Sequence, residues 1–134
     1  MIELRAAIQD RAPERLVNND EELEAALSDA WAAATAAGKL NIIFLYAPNG
    51  DHLTLVIGAE ETVVGFNYGH GDPPYYASMG ASAEDAPVLT AYVGLEHHTE
   101  FPRRWVVPFC VGKQAAHEFL ATGERPGAVC WVEV

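Results

Sequence analysis

Apolar residues alternate with polar ones over most of this chain, and helical spacing takes over in two stretches. Ile2, Leu4, Ala6 and Ile8 alternate as a first strand, and Arg11 to Asn19, polar and holding Pro13, reads as a loop. Asn19 with Glu22 three residues on forms a capping box that opens a helix, and Asp20, Glu21 and Glu22 suit the positive end of its dipole. Leu23, Leu27, Ala30, Trp31 and Ala34 then share one face, and Gly38 ends the helix. Leu40 to Tyr46 is a nearly unbroken apolar run, the mark of a central strand. Pro48-Asn49-Gly50-Asp51 turns it into a hairpin with Leu53, Leu55 and Ile57. After a second turn at Gly58 to Glu61, Val64, Phe66 and Tyr68 complete a three-stranded antiparallel meander.

The second half reads as short elements between loops. Tyr75 to Ser78, Val88 to Val93, Arg104 to Val107 and Val129 to Val134 are strands. Gly69 to Pro74, Ala81 to Pro87 and the polar stretch Glu96 to Pro102 are loops. A helix from about Gly112 to Thr122 places Val111, Ala115, Phe119 and Leu120 near one face before Gly123 and Pro126 stop it. The expected fold is a single α+β domain over residues 1–134. It has one mostly antiparallel sheet of about six to eight strands with two helices packed against it. No segment is an internal repeat.

Charge changes the picture more than composition does. The net charge is −11, with eleven acids against four bases up to Glu61 and eight against four from Thr62 on. A field of this sign spread over the whole chain disfavours nucleic acid and anionic membrane as partners and favours a basic protein surface. A merely solubilising surface is the other reading. No basic start followed by an apolar block precedes the first strand, and no apolar run is long enough to span a bilayer, so a cytoplasmic location is expected. Cys110 and Cys130 beside apolar stretches read as reduced, buried residues.

Candidate chemistry is sparse. The five histidines lack paired helical spacing, and the adjacent His97 and His98 would face opposite ways on a strand, so no metal or other cofactor is expected. Ser78 sits in half of a nucleophile elbow, with Tyr76 where the first glycine should be, and reads as structural. Gly65, Gly69 and Gly71 are followed by Asp72 rather than by a Lys-Ser/Thr pair, which argues against a phosphate cradle. A small hydrolase or deaminase-like enzyme using His70, Asp72 and Glu100 is one reading. A zinc deaminase is excluded from it by the lack of any Cys-x-x-Cys.

A distinctive ordered series remains: Gly71-Asp72-Pro73-Pro74-Tyr75-Tyr76, Tyr92-Val93-Gly94, Glu100-Phe101-Pro102-Arg103-Arg104 and Val107-Pro108. Glu118-Phe119-Leu120-Ala121-Thr122-Gly123-Glu124-Arg125-Pro126 and Val129-Cys130-Trp131 complete it. The series resembles the immunity protein 1 family of bacterial polymorphic toxin systems, over roughly residues 40–134. The resemblance implies a non-enzymatic inhibitor of a cognate toxin, often a nucleic-acid deaminase. Such a toxin needs a basic groove for phosphates, which an acidic inhibitor could cover. Asp72, Tyr75 and Tyr76 on a proline-stiffened loop, and Glu96, His98 and Glu100 on a second, are the candidate contact residues. The same prolines and tyrosines also suit a packed corner of the fold. A general protein-interaction domain without a toxin partner is the alternative function. The oligomeric state is left open by the sheet's edges.

Overall fold

The computed structural model describes residues 1–134. In chain order the elements are β1 (Leu4–Ala7), β2 (Arg15–Val17), α1 (Asp20–Ala37), β3 (Asn41–Tyr46), β4 (His52–Ile57), β5 (Glu61–Thr62) and β6 (Val64–Asn67). There follow β7 (Tyr75–Ser78), β8 (Leu89–Val93), β9 (His97–Phe101), a 3-10 turn (Arg103–Trp105), β10 (Val107–Pro108), α2 (Phe109–Thr122) and β11 (Trp131–Glu133). Nine strands form one sheet: seven run in the order β11-β7-β6-β4-β3-β1-β2, β8 and β9 branch from β3, and β5 and β10 make a small separate ladder. The edge of β3 away from β4 is forked. Phe44, Leu45 and Tyr46 pair antiparallel with β1, while Asn41 and Ile42 pair parallel with β8, which carries β9. The α+β class and the mostly antiparallel sheet are as expected from the sequence.

The helices cover one face of this sheet because their apolar stripes match it. In α1, Leu23, Ala26, Leu27, Ala30 and Ala34 are buried, and in α2 Ala115, Ala116, Phe119 and Leu120. They meet Ile43 and Leu45 of β3, Leu53, Leu55 and Ile57 of β4, and Val64 and Phe66 of β6 in a single core. The capping box of α1 is present. The Asn19 side chain accepts from the Glu22 N–H at 2.8 Å, and the Glu22 carboxylate reaches back one residue further, to the Asn18 N–H at 2.8 Å. Gly38 closes the helix in the left-handed region at φ 66°. No helix is long and apolar enough to cross a membrane.

Polar side chains clasp the two helices at the surface. His117 of α2 lies between Asp20 at 2.6 Å and Glu24 at 2.7 Å, and Lys113 contacts Glu24 at 2.8 Å. The hydrogen bond from Lys113 holds the Glu24 carboxyl below the ordinary value of 4.5. Partial desolvation opposes it and His117 adds to it. A depressed folded-state pKa gives stability that is present above 4.5 and is lost as pH falls through the folded value. Glu24→Gln should therefore unfold at lower urea than the parent at pH 7, with a smaller gap when the two are compared at about pH 3. A gap unchanged between those pH values would remove the Glu24 ionisation from the clasp. Because the group is substantially exposed, the effect is small.

Five local expectations are corrected. Arg15–Val17, expected as loop, forms β2, and the polar stretch expected as loop at Glu96 to Pro102 contains β9. Both strands lie at sheet edges, where exposed charged side chains are the rule and conceal the strand period. Arg104 to Val107, expected as a strand, is mostly the 3-10 turn, and only Val107–Pro108 pairs, with β5. Helix α2 starts at Phe109 rather than near Gly112. Pro108 at φ −58° stands at its N-cap, and the Phe109 N–H finds the Glu60 carbonyl at 2.7 Å. Finally, Cys110 and Cys130 are exposed, not buried. Cys110 sits off the buried stripe of α2, and Cys130 lies between Val129, which is buried, and Trp131.

Candidate partner-binding surface

The two faces of the sheet are unequal. On the face away from the helices, cross-strand register aligns Leu16, Arg5, Tyr46, His52, Asn67 and Tyr75 in one row over six strands. Every member is half-buried or exposed, and Leu16 is 54% and Tyr75 39% accessible. The next row inward, Ala7, Phe44, Thr54, Gly65 and Ala77, has small side chains apart from Phe44. A Cβ on Gly65 would overlap Thr54 Oγ1, so glycine keeps this row low. Further in, the face is closed by a second apolar cluster of Ile42, Val56, Leu89, Ala91 and Val106, with Trp105 and Phe101 against it. The result is a shallow trough, with a polar and aromatic rim on one side and the Trp105 segment on the other.

The rim is internally braced. Tyr46 stacks on Phe44 at 5.8 Å, and His52 lies 5.2 Å from the Tyr46 ring. His52 Nδ1 is 3.2 Å from the Gly50 carbonyl, and the Asn67 amide lies 3.4 Å from Nε2. Partial burial, and then the Glu14 carboxylate, push the Tyr46 phenol above 10.0 while Arg5 pulls it down, so the phenol remains a neutral donor at physiological pH. The Tyr75 hydroxyl donates to the Gly71 carbonyl at 2.8 Å, which ties the Asp72 loop to the end of the row. At the fork of β3 a cleft of about 300 Å³ opens among Ala7, Asp10, Arg11, Phe44, Tyr46 and Val93.

The residues singled out in the sequence are dispersed. Asp72 and Tyr75 lie together beside the open face, with the Asp72 N–H donating to His70 Nδ1 at 2.9 Å. Tyr76 pairs with Phe66 on the helix side and packs against the core, under Arg125 at 4.1 Å. Glu96 is exposed in the β8–β9 turn, close to Asp10 and His97. His98 and Glu100 pair with Tyr92 and Thr90, whose side chains alternate away from the apolar positions Leu89, Ala91 and Val93. His98 and Glu100, 3.3 Å apart, therefore project from the face opposite to Tyr75. Ser78 is fully buried and structural: its hydroxyl accepts from the Val64 N–H at 3.0 Å and donates to the Trp105 carbonyl at 2.7 Å. Tyr46 and His52, which the sequence does not mark as contact residues, join Tyr75 on this face through the β3–β4 register.

Most cations are spent internally. Arg5, Arg15, Arg103, Arg104 and Lys113 pair with acids, and Lys39 and Arg125 lie over the rings of Tyr92 and Tyr76. The acids of α1 other than Glu21 are likewise occupied: Asp20 by His117, Glu22 by the Asn18 N–H, Glu24 by Lys113 and His117, and Asp29 by Arg15. Asp72 and Glu96 have no such cation. No curated protein matches the chain. The family model described as immunity protein Imm1 matches residues 11–133, nearly the whole of the fold just described, and the chain belongs to that family.

Proposed function

We propose that this protein is a single-domain, non-enzymatic immunity protein that binds and neutralises a cognate toxin in the cytoplasm of the cell producing it. The observation that carries the reading is the Imm1 match over residues 11–133. The net charge of −11, with nearly every cation already engaged, supports a basic partner surface. A toxin that acts on nucleic acid, a deaminase in the reading that the resemblance implies, carries such a surface where it grips phosphates. Opposite fields speed the encounter, and desolvated aromatic and polar contacts then hold the complex.

Co-expression with the product of the adjacent gene is expected to restore growth to cells that this product kills, and the two chains should co-purify. Their association rate should fall steeply as salt rises, with the dissociation rate little changed. A toxic neighbour that is neither bound nor neutralised would remove this pairing and leave a general protein-interaction domain as the better account.

A further inference from the structure

We propose that the toxin docks on the open face of the sheet, with the Arg5–Tyr46–His52–Asn67–Tyr75 row as its anchor and the Thr54–Gly65 trough receiving a protruding basic segment. The inference rests on the toxin-binding reading above and adds where the partner sits.

Three observations converge on this face. Its relief follows from side-chain size: the small Thr54, Gly65 and Ala77, beside Phe44, lie between a rim of larger side chains and the Trp105 segment. The rim offers two tyrosines, an imidazole and a carboxamide, side chains that combine contact area with hydrogen bonding at low entropic cost. Charge favours a basic occupant, with Arg11 at the cleft the one cation left unpaired. Arg5 is offset by Glu14 at 3.0 Å, while Asp72 beyond Tyr75 and Glu96 beside Asp10 at the cleft stand without a Lys or Arg partner. The acids of α1, by contrast, are held by His117, Lys113, Arg15 and backbone, except for Glu21. A partner drawn to the protein's field thus finds uncommitted carboxylates flanking the trough.

The test measures binding of the purified adjacent-gene product to four chains: the parent, Thr54→Arg in the trough, Asp72→Lys at the rim, and Glu21→Lys on α1 as a control of equal charge change. Circular dichroism and urea midpoints establish that each is folded, and the exposed Asp72 site carries the test if Thr54→Arg does not fold. Thr54→Arg and Asp72→Lys should each weaken binding about tenfold or more, and Glu21→Lys less than about threefold. A parent that does not bind overturns the toxin-binding reading and this inference with it. A parent that binds, with both face variants equally tight, overturns the docking face alone. Equal losses from Asp72→Lys and Glu21→Lys would mean that only the overall field matters, which also overturns it. A parent that is a dimer by light scattering, dissociated by Thr54→Arg, would place a second copy on this face instead.

Discussion

Phe119→Ala is expected to cost about 3–5 kcal/mol of unfolding free energy, a large share of the roughly 5–15 kcal/mol that holds a domain together. The Phe119 ring is fully enclosed and sits edge-on to Phe66 at 6.1 Å, so it joins α2 directly to the middle of the sheet. Leu120 and Ala116 beside it are equally buried, and the surrounding backbone is fixed by helix and sheet hydrogen bonds. The walls of the resulting cavity cannot close freely, and both the lost transfer energy and the void count against the folded state. Urea unfolding followed by far-ultraviolet circular dichroism should show the midpoint fall by about 1 M or more at an unchanged slope. A fall under about 0.3 M would mean that α2 is not seated on the sheet through this ring.

The second large effect comes from an oxygen atom. Ser78→Ala should destabilise the fold by about 1–3 kcal/mol, although it changes the side chain's volume little. The hydroxyl satisfies the buried Val64 N–H and the Trp105 carbonyl together, joining β6 to the segment that closes one end of the trough. Without it, both backbone groups lose a partner where water does not reach them easily. Gly80 gives the same segment a second tie, its N–H donating to the Arg104 carbonyl at 2.6 Å, so the turn loosens without detaching. Amide hydrogen exchange reads this directly. The Val64 amide should exchange faster in the variant, while amides in the centre of α1 keep their relative order of protection. Unchanged exchange at Val64 would mean that the serine hydroxyl is not its partner.

What the sequence made legible is what burial writes into it. The α1 stripe, the Asn19 and Gly38 caps and the aliphatic positions of β3, β4 and β6 are all enforced by the core, and all are read from spacing alone. Strands β2 and β9 stayed hidden because their period is carried by exposed side chains at an edge, where no hydrophobic constraint marks one face. The start of α2 stayed hidden because Pro108, which stops a strand, equally opens a helix. The candidate surface was partly legible. Asp72 and Tyr75 were marked by their turn chemistry, and they do border the open face. Tyr46 is hidden because the run from Leu40 to Tyr46 reads as buried on both sides, and His52 because a lone histidine after a turn carries no sign of which face it joins. Only the tertiary placement of both helices on one face leaves the other open.

The forked edge of β3 has a consequence for how the chain comes together during synthesis. Residues 4–7 close half of that edge early, but Asn41 and Ile42 wait for Tyr92 and Val93, some fifty residues later. Until then this largely apolar strand carries an unpaired flank, and closing it means joining segments far apart in sequence, which is slower than local pairing. The same delay sets the order of assembly: the cleft at the fork cannot exist before β8 is laid down, because Val93 is one of its walls.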